Sequence, residues 1–469
     1  MSEDDPLSGL RPVLLTWFGE AASVLTVASW AQVGGTLTWA RGQDDQYVPA
    51  VKPMSFMAPE TRQQLAALPS FKELETAVQA SPVLAPMLGC LVGTPRSRSL
   101  FGVWSVADAF LPSLEDLVRG ETISFDDRYN AISNLLRLRE VEIQTTCPLR
   151  GITFGEVPVN LAPGLSIDKL TLDETILALD VGLLQPVFGW GSPFRIDAGQ
   201  SFALKKRMRL PLVVNSQGQE RPGDDGSLAM VLASQARDEM LQLQQCIALM
   251  THEPVSISGS VSHISSPTYI ISDTGVQSSL ISPGPWFGTS INFDQSSCEG
   301  LRALWDIANS RSFSRNRAIA LAVRRLTIGT QRKDVEDRLL DVFIAAEALY
   351  LSDADDARER GELRYRLALR AAVWSEGTLD GWTRRDVFKL MKTGYDARSA
   401  VAHGGQPRPK DVIVKSTQVT LPDLVRATED VVRAGLYKAV QKMAGTDKGL
   451  TIPWDDLVLP DHGMSDQGA

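Results

Sequence analysis

Breaking RNA at a phosphodiester needs a base for the 2′-hydroxyl proton, an acid for the leaving 5′-oxygen and a positive group beside the phosphoryl oxygens. In YDARSAVAHGG, residues 395–405, Arg398 and His403 supply those residue types five positions apart, where an apolar-periodic helix runs out into glycines. Imidazole, with a reference pKa of about 6.5, suits the proton transfers. The guanidinium is always charged and grips phosphate through paired N–H groups. Five residues of helix amount to about 500°, so the two side chains leave about 140° apart unless the last turn distorts. Convergence is easier if the helix ends at His403, and Gly404-Gly405 is a C-terminal stop. The other histidines, His252, His263 and His462, have no arginine at comparable offsets. One imidazole is poorly placed to be base and acid in a single step. Two copies of His403 facing each other share the roles, so the chemistry points to a symmetric homodimer. The plainer reading is that Arg398 and His403 cap the helix and pair with Asp396 or Glu347.

Positioning such a pair requires a scaffold, and helical periodicity supplies one. Asp334 to Leu351 places Val335, Leu339, Phe343, Ala346 and Tyr350 at helical spacing. A second helix spans about Glu362 to Val373, with Leu363, Leu367 and Ala371 in one stripe and Glu362, Arg366 and Arg370 in another. A third carries Val387, Phe388, Met391 and Tyr395 towards Arg398. The fourth opens at Thr420-Leu421-Pro422-Asp423, a capping-box-like start, and continues to about Met443. Four antiparallel helices with a site between them are expected. Tyr395 is a packing residue or a base-stacking platform, and Glu347 a buried carboxylate whose partner is an arginine such as Arg370.

FIAAEALYLSD, ELRYRLALRAAV and YDARSAVAHGG, taken together from Asp341 to Gly405, resemble the HEPN superfamily, and within it the ApeA-like branch. The resemblance is specific for about 330–445 and loose for 226–330. It implies a helical bundle in which R-x(4–6)-H, here Arg398 and His403, marks metal-independent endoribonucleases. Such enzymes usually act as dimers whose two motifs meet across the interface, many in phage-defence, abortive-infection or toxin–antitoxin systems. Ser399 fills the place after the arginine, where catalytic members carry a polar residue, commonly Asn, Asp or His. Glu347 matches an acidic position of the family, while Leu351 stands where an E-x3-K/R pattern would put a base. The resemblance also admits a non-catalytic module that binds RNA, nucleotide or protein.

At 469 residues the chain is long enough for two or three domains, and 43% hydrophobic with 22% charged is ordinary for a globular protein. A net charge of −9 argues against broad coating of nucleic acid, so an RNA site must be local. Between Arg311 and Lys333 lie only basic charges, including Arg324, Arg325, Arg332 and Lys333, which suits RNA contact, a solvated face or a partner for Asp353, Asp355 and Asp356. Cys90, Cys147, Cys246 and Cys298 form no C-x-x-C pair or zinc-ligand spacing, and read as reduced buried thiols of a cytoplasmic protein. Leu14 to Trp30 is interrupted by Gly19 and Glu20, which is wrong for a signal peptide or a membrane span. Phosphate-loop, dinucleotide and serine-hydrolase motifs are absent, His252-Glu253 lacks a zincin partner and reads as a turn, and no metal or cofactor is expected.

The N-terminal half has a different texture. LFGVWSV, TILALDVG and FALKKRMRLPLVV look like strands of a β-sandwich or curved sheet, as do LTVASW and GTLTWAR, whereas MAPETRQQLAAL starts like a helix. Helices over Leu228–Met250 and about Cys298–Leu326, the second after a Pro-Gly-Pro turn at 283–285, and a strand-like THEPVSISGSVSHIS connect the halves. The expected fold is α+β: a β-rich region over 1–225 that senses or binds a phage-derived or regulatory ligand, connecting helices over 226–330, a HEPN-like four-helix bundle over 331–445 and a tail over 446–469. A third possibility is a β-domain carbohydrate or protein receptor with a structural helical tail.

Overall fold

The computed structural model describes residues 5–26, 29–41, 47–57, 59–94, 97–118, 125–184, 202–215, 228–264, 277–280, 290–352, 362–446 and 449–459. The acidic residues expected at 353–356 and the Pro-Gly-Pro turn lie outside them. The chain is mixed α+β and divides into two compact units whose segments interleave. One comprises 1–148, 162–237 and 258–282; the other comprises 149–161, 238–257 and 283–469.

In the first unit, strands β1 (Glu140–Arg150), β2 (Leu165–Lys169), β3 (Phe202–Pro211), β4 (Gly259–Ile264) and β5 (Gln277–Leu280) share a sheet in the order β5-β4-β1-β3-β2. FALKKRMRLPLVV is β3 and the start of Val213–Asn215, GTLTWAR lies in Trp30–Arg41, and MAPETRQQLAAL is the helix Pro59–Ala67, as the patterns predict. Two patterns mislead. LFGVWSV leads into a helix, Val103–Asp108, and TILALDVG lies in a helix, Leu172–Asp180. A short apolar run is ambiguous between buried strand and buried helix, and the second is decided by Thr171, which forms a capping box with Glu174. The apolar stretch near the N-terminus is a helix, Arg11–Val24, burying Leu14, Trp17, Phe18 and Ala21. This unit is therefore helical as well as stranded.

The second unit carries most of α1 (Leu228–Met250), then α2 (Gln295–Ala308), α3 (Arg317–Thr330), α4 (Val335–Tyr350), α5 (Leu363–Trp374), α6 (Arg384–Ala402) and α7 (Leu421–Gln441). The single helix expected over Cys298–Leu326 is broken. Ser310 caps a short helix, Arg311–Arg315, by accepting the Phe313 N–H, and Asn316 leaves helical geometry at ψ 72° before α3 begins. Polar residues that compete locally for backbone N–H groups make such breaks.

The four C-terminal helices form where the spacing predicts. Asp334 caps α4, accepting the N–H groups of Glu336 and Asp337, and Thr420 caps α7 in a capping box with Asp423. Helix α3 packs on α4, α5 on α6, and α7 on α4, α6 and α3. Leu339, Phe343, Ala346 and Tyr350 of α4, Leu367 and Ala371 of α5, and Leu424, Val431, Leu436 and Val440 of α7 are all buried. Two glycines allow close approach. A Cβ on Gly394 of α6 would lie 2.7 Å from Phe343 Cζ, and one on Gly435 of α7 would lie 2.3 Å from the Tyr350 hydroxyl.

Candidate active site

Helix α6 begins at a Thr383 capping box with Asp386 and delivers the motif at its other end. His403 is the C-cap residue, at φ −97° and ψ 14°. Gly404 takes φ +75°, its N–H bonding to the Val401 carbonyl, and the Gly405 N–H reaches back to the Ala400 carbonyl at 2.9 Å. This is a Schellman stop, and the positive φ is why glycine stands there. The His403 N–H donates to the Ser399 and Ala400 carbonyls at 3.2 Å each, and its side chain is exposed.

Arg398 lies at the half-buried side of the same helix. A terminal guanidinium nitrogen stands 3.4 Å from Glu347 Oε1 of α4, and the cation sits 5.8 Å from the centre of the Tyr395 ring. Tyr395 in turn packs edge-on against Phe343 at 6.0 Å, so it is held as a packing residue. Its hydroxyl pKa is raised by burial first and by the Glu347 charge second. Burial also raises Glu347 above the usual glutamate range, against which the Arg398 charge pulls it down. The ion pair is loose, with both side chains about a third exposed or less, and the buried Arg398 Nε has no hydrogen-bond partner among the described residues.

Several expected partnerships come out differently. Glu347 pairs with Arg398 rather than Arg370, whose guanidinium donates to the Tyr350 carbonyl at 2.8 Å and lies over the Trp454 ring. Arg370 is only 3% exposed, whereas Glu362 at the other end of the same stripe is exposed. Asp396 binds Arg364 of α5, not Arg398. Ser399 is half-buried beside the histidine turn. Because α6 stays helical to Ala402, Arg398 and His403 leave it about 140° apart, and no hydrogen bond joins them within one chain. Asp396, Ser399 and His403 share the other face by helical spacing. A cleft of about 520 Å³ beside α6 is bordered by Thr393, Asp396, Ala397, Ala400, Arg408 and Val412, and neither Ser399 nor His403 is part of its lining.

The basic run is divided. Arg324 is exposed and makes no ion pair among the described residues, whereas Arg325 and Arg332 both hold the buried Asp341, at 3.2 and 3.0 Å. Lys333 lines a separate cavity. What sequence reasoning missed is a buried ionic network behind that cavity. Glu429, wholly buried on α7, receives Arg338 at 2.5 Å and also Arg433. Arg433 donates to the Ala248 carbonyl and, at 2.7 Å, to His252 Nδ1. A guanidinium only donates, so Nδ1 accepts and Nε2 is the atom that donates to Asp430, 2.8 Å away. His252 thus does follow the end of α1, but its ring is a bridge. The available signal was Glu429 and Arg433 at i, i+4 inside an apolar stripe.

Among the described residues no helix is long and apolar enough to cross a membrane. The cysteines form no disulfide among the described residues, with Cys147, Cys246 and Cys298 buried and Cys90 half-buried. No family model, curated protein or solved structure matches the chain.

Proposed function

We propose that the second unit is a HEPN-like endoribonuclease that cuts RNA by transesterification. The 2′-oxygen attacks phosphorus and the bond to the 5′-oxygen breaks, leaving a 2′,3′-cyclic phosphate and a 5′-hydroxyl. His403 moves the proton from the 2′-hydroxyl, a second copy of His403 protonates the leaving oxygen, and Arg398 steadies the phosphoryl charge. The observation that carries this reading is an exposed imidazole on a helix stop, with an arginine of the same helix in an ion pair loose enough to exchange carboxylate for phosphate. Divergence of the pair within one chain makes a homodimer through the helical unit the natural way to assemble both around one ribose. The reading takes the four helices α4 to α7 as its bundle. Arg324, exposed and without an ion pair among the described residues, is a candidate of the basic run for touching the RNA backbone. Phage defence by RNA cleavage, in the cytoplasm, is the setting that the motif's resemblance suggests.

Purified protein incubated with transfer and messenger RNA in EDTA is expected to yield cyclic phosphate ends. His403→Ala and Arg398→Ala should each slow cleavage by roughly 100-fold or more. Cleavage that needs added metal, or that survives His403→Ala, would reject the assignment. The same divergence of the motif pair also favours a second reading, a non-catalytic dimer that binds RNA. In that case RNA is retained and stays intact.

A further inference from the structure

A cavity of about 350 Å³ in the second unit lies apart from Arg398 and His403, between the turn that joins α3 to α4 and the first turns of α7. Arg332, Lys333, Arg338 and Arg426 line it, with His252 at its side. Glu253 and Asp423 also border it, and Asp423 is committed to Thr420 in the cap of α7. Four cationic side chains and two carboxylates thus line it, and of the cations Arg332 and Arg338 already carry carboxylate partners outside the lining, Asp341 with Asp337 at 3.9 Å for Arg332 and Glu429 for Arg338.

Two features separate this arrangement from a solvated basic face. First, Arg332 and Arg338 are held from behind by carboxylates buried to 4% and 0% exposure, Asp341 and Glu429. Each carboxylate takes the Nε side of its arginine. A guanidinium carries five N–H donors, so donors remain on both once those contacts are made, on side chains whose orientation is fixed in advance. Second, Lys333 and Arg426 are exposed and make no ion pair among the described residues. Preoriented arginines combined with unpaired cations around one concavity suit an anion with several oxygens. The volume is at the low end for small-molecule sites, roughly 300–1,000 Å³, which favours a compact ligand over a strand of RNA.

We propose that this cavity binds an oligophosphate, either inorganic or the phosphate end of a nucleotide. The proposal does not rest on the nuclease reading, since none of its residues belongs to the Arg398–His403 motif. Calorimetric titration of the full chain with tripolyphosphate, ATP, AMP and a short RNA tests it. Saturable binding of tripolyphosphate or ATP is expected, weakened about tenfold by Lys333→Met and by Arg426→Met, as loss of a charge-assisted contact predicts. His403→Ala should bind as the native chain does. ATP much tighter than tripolyphosphate would identify a nucleotide site, and equal affinity an oligophosphate site. No saturation at millimolar ligand, binding of RNA alone, or binding indifferent to both substitutions would overturn the proposal. Lys333 and Arg426 are surface residues, so both variants should fold, and an unchanged urea midpoint checks that.

Discussion

Glu347 is the titratable carboxylate paired with Arg398. Burial raises its pKa in the folded chain, and the nearby guanidinium offsets only part of that. Between the unfolded value, about 4.3, and the raised folded value, the native protein binds more protons than the unfolded chain. Stability then falls as pH climbs through that window and levels off above it. Glu347→Gln removes the titration, so the urea midpoint of the variant relative to the native chain should rise across the window and then stay constant. Parallel curves from acid to neutral pH would show that burial does not govern this group. The residue types of the candidate site, Arg398 and His403, were readable from the sequence as candidates. Their partners were not, because Glu347 and Arg398 lie on different helices, and a choice between Arg370 and Arg398 is made by helix packing.

At the scale of elements, the ends of helices were the most legible features. Asp334, Thr420 with Asp423, and Gly404-Gly405 act within one turn of backbone, so their chemistry is local. The apolar run at 100–106 was illegible, since strand and helix bury it equally well, while the run at 175–182 is settled by the Thr171–Glu174 capping box just before it rather than by its apolar pattern. The seating of α6 depends on Gly394. Alanine there gains up to about 1 kcal/mol of helix propensity, but its methyl meets the fully buried Phe343 ring, where overpacking costs about 1–3 kcal/mol. Gly394→Ala should therefore lower stability by about 1 kcal/mol net and, by shifting α6 from α4, weaken the Glu347–Arg398 pair. A urea midpoint unchanged or raised would mean that the ring moves aside freely.

For the whole molecule, the consequential fact is that the helical unit is not contiguous. Residues 238–257 belong to it, and they bring the Ala248 carbonyl and His252 to Arg433, whose side chain is 8% exposed. A fragment of residues 331–446 lacks both partners. Breaking a buried ionic arrangement costs about 3–5 kcal/mol, so this fragment should unfold at clearly lower urea than one of residues 238–459, as followed by circular dichroism. Equal midpoints would show that the network is dispensable.

The sequence by itself determined where the C-terminal helices start and stop, which face of each is buried, and which residues are equipped for phosphate chemistry. These are properties of periodicity, capping and side-chain type, all settled within a few residues of chain. Only the tertiary structure decided that the units interleave, that Arg398 meets Glu347, and that Arg332, Lys333, Arg338 and Arg426 converge on one cavity. Those outcomes depend on contacts between residues far apart in the chain, where packing selects one arrangement among several that local preference allows equally.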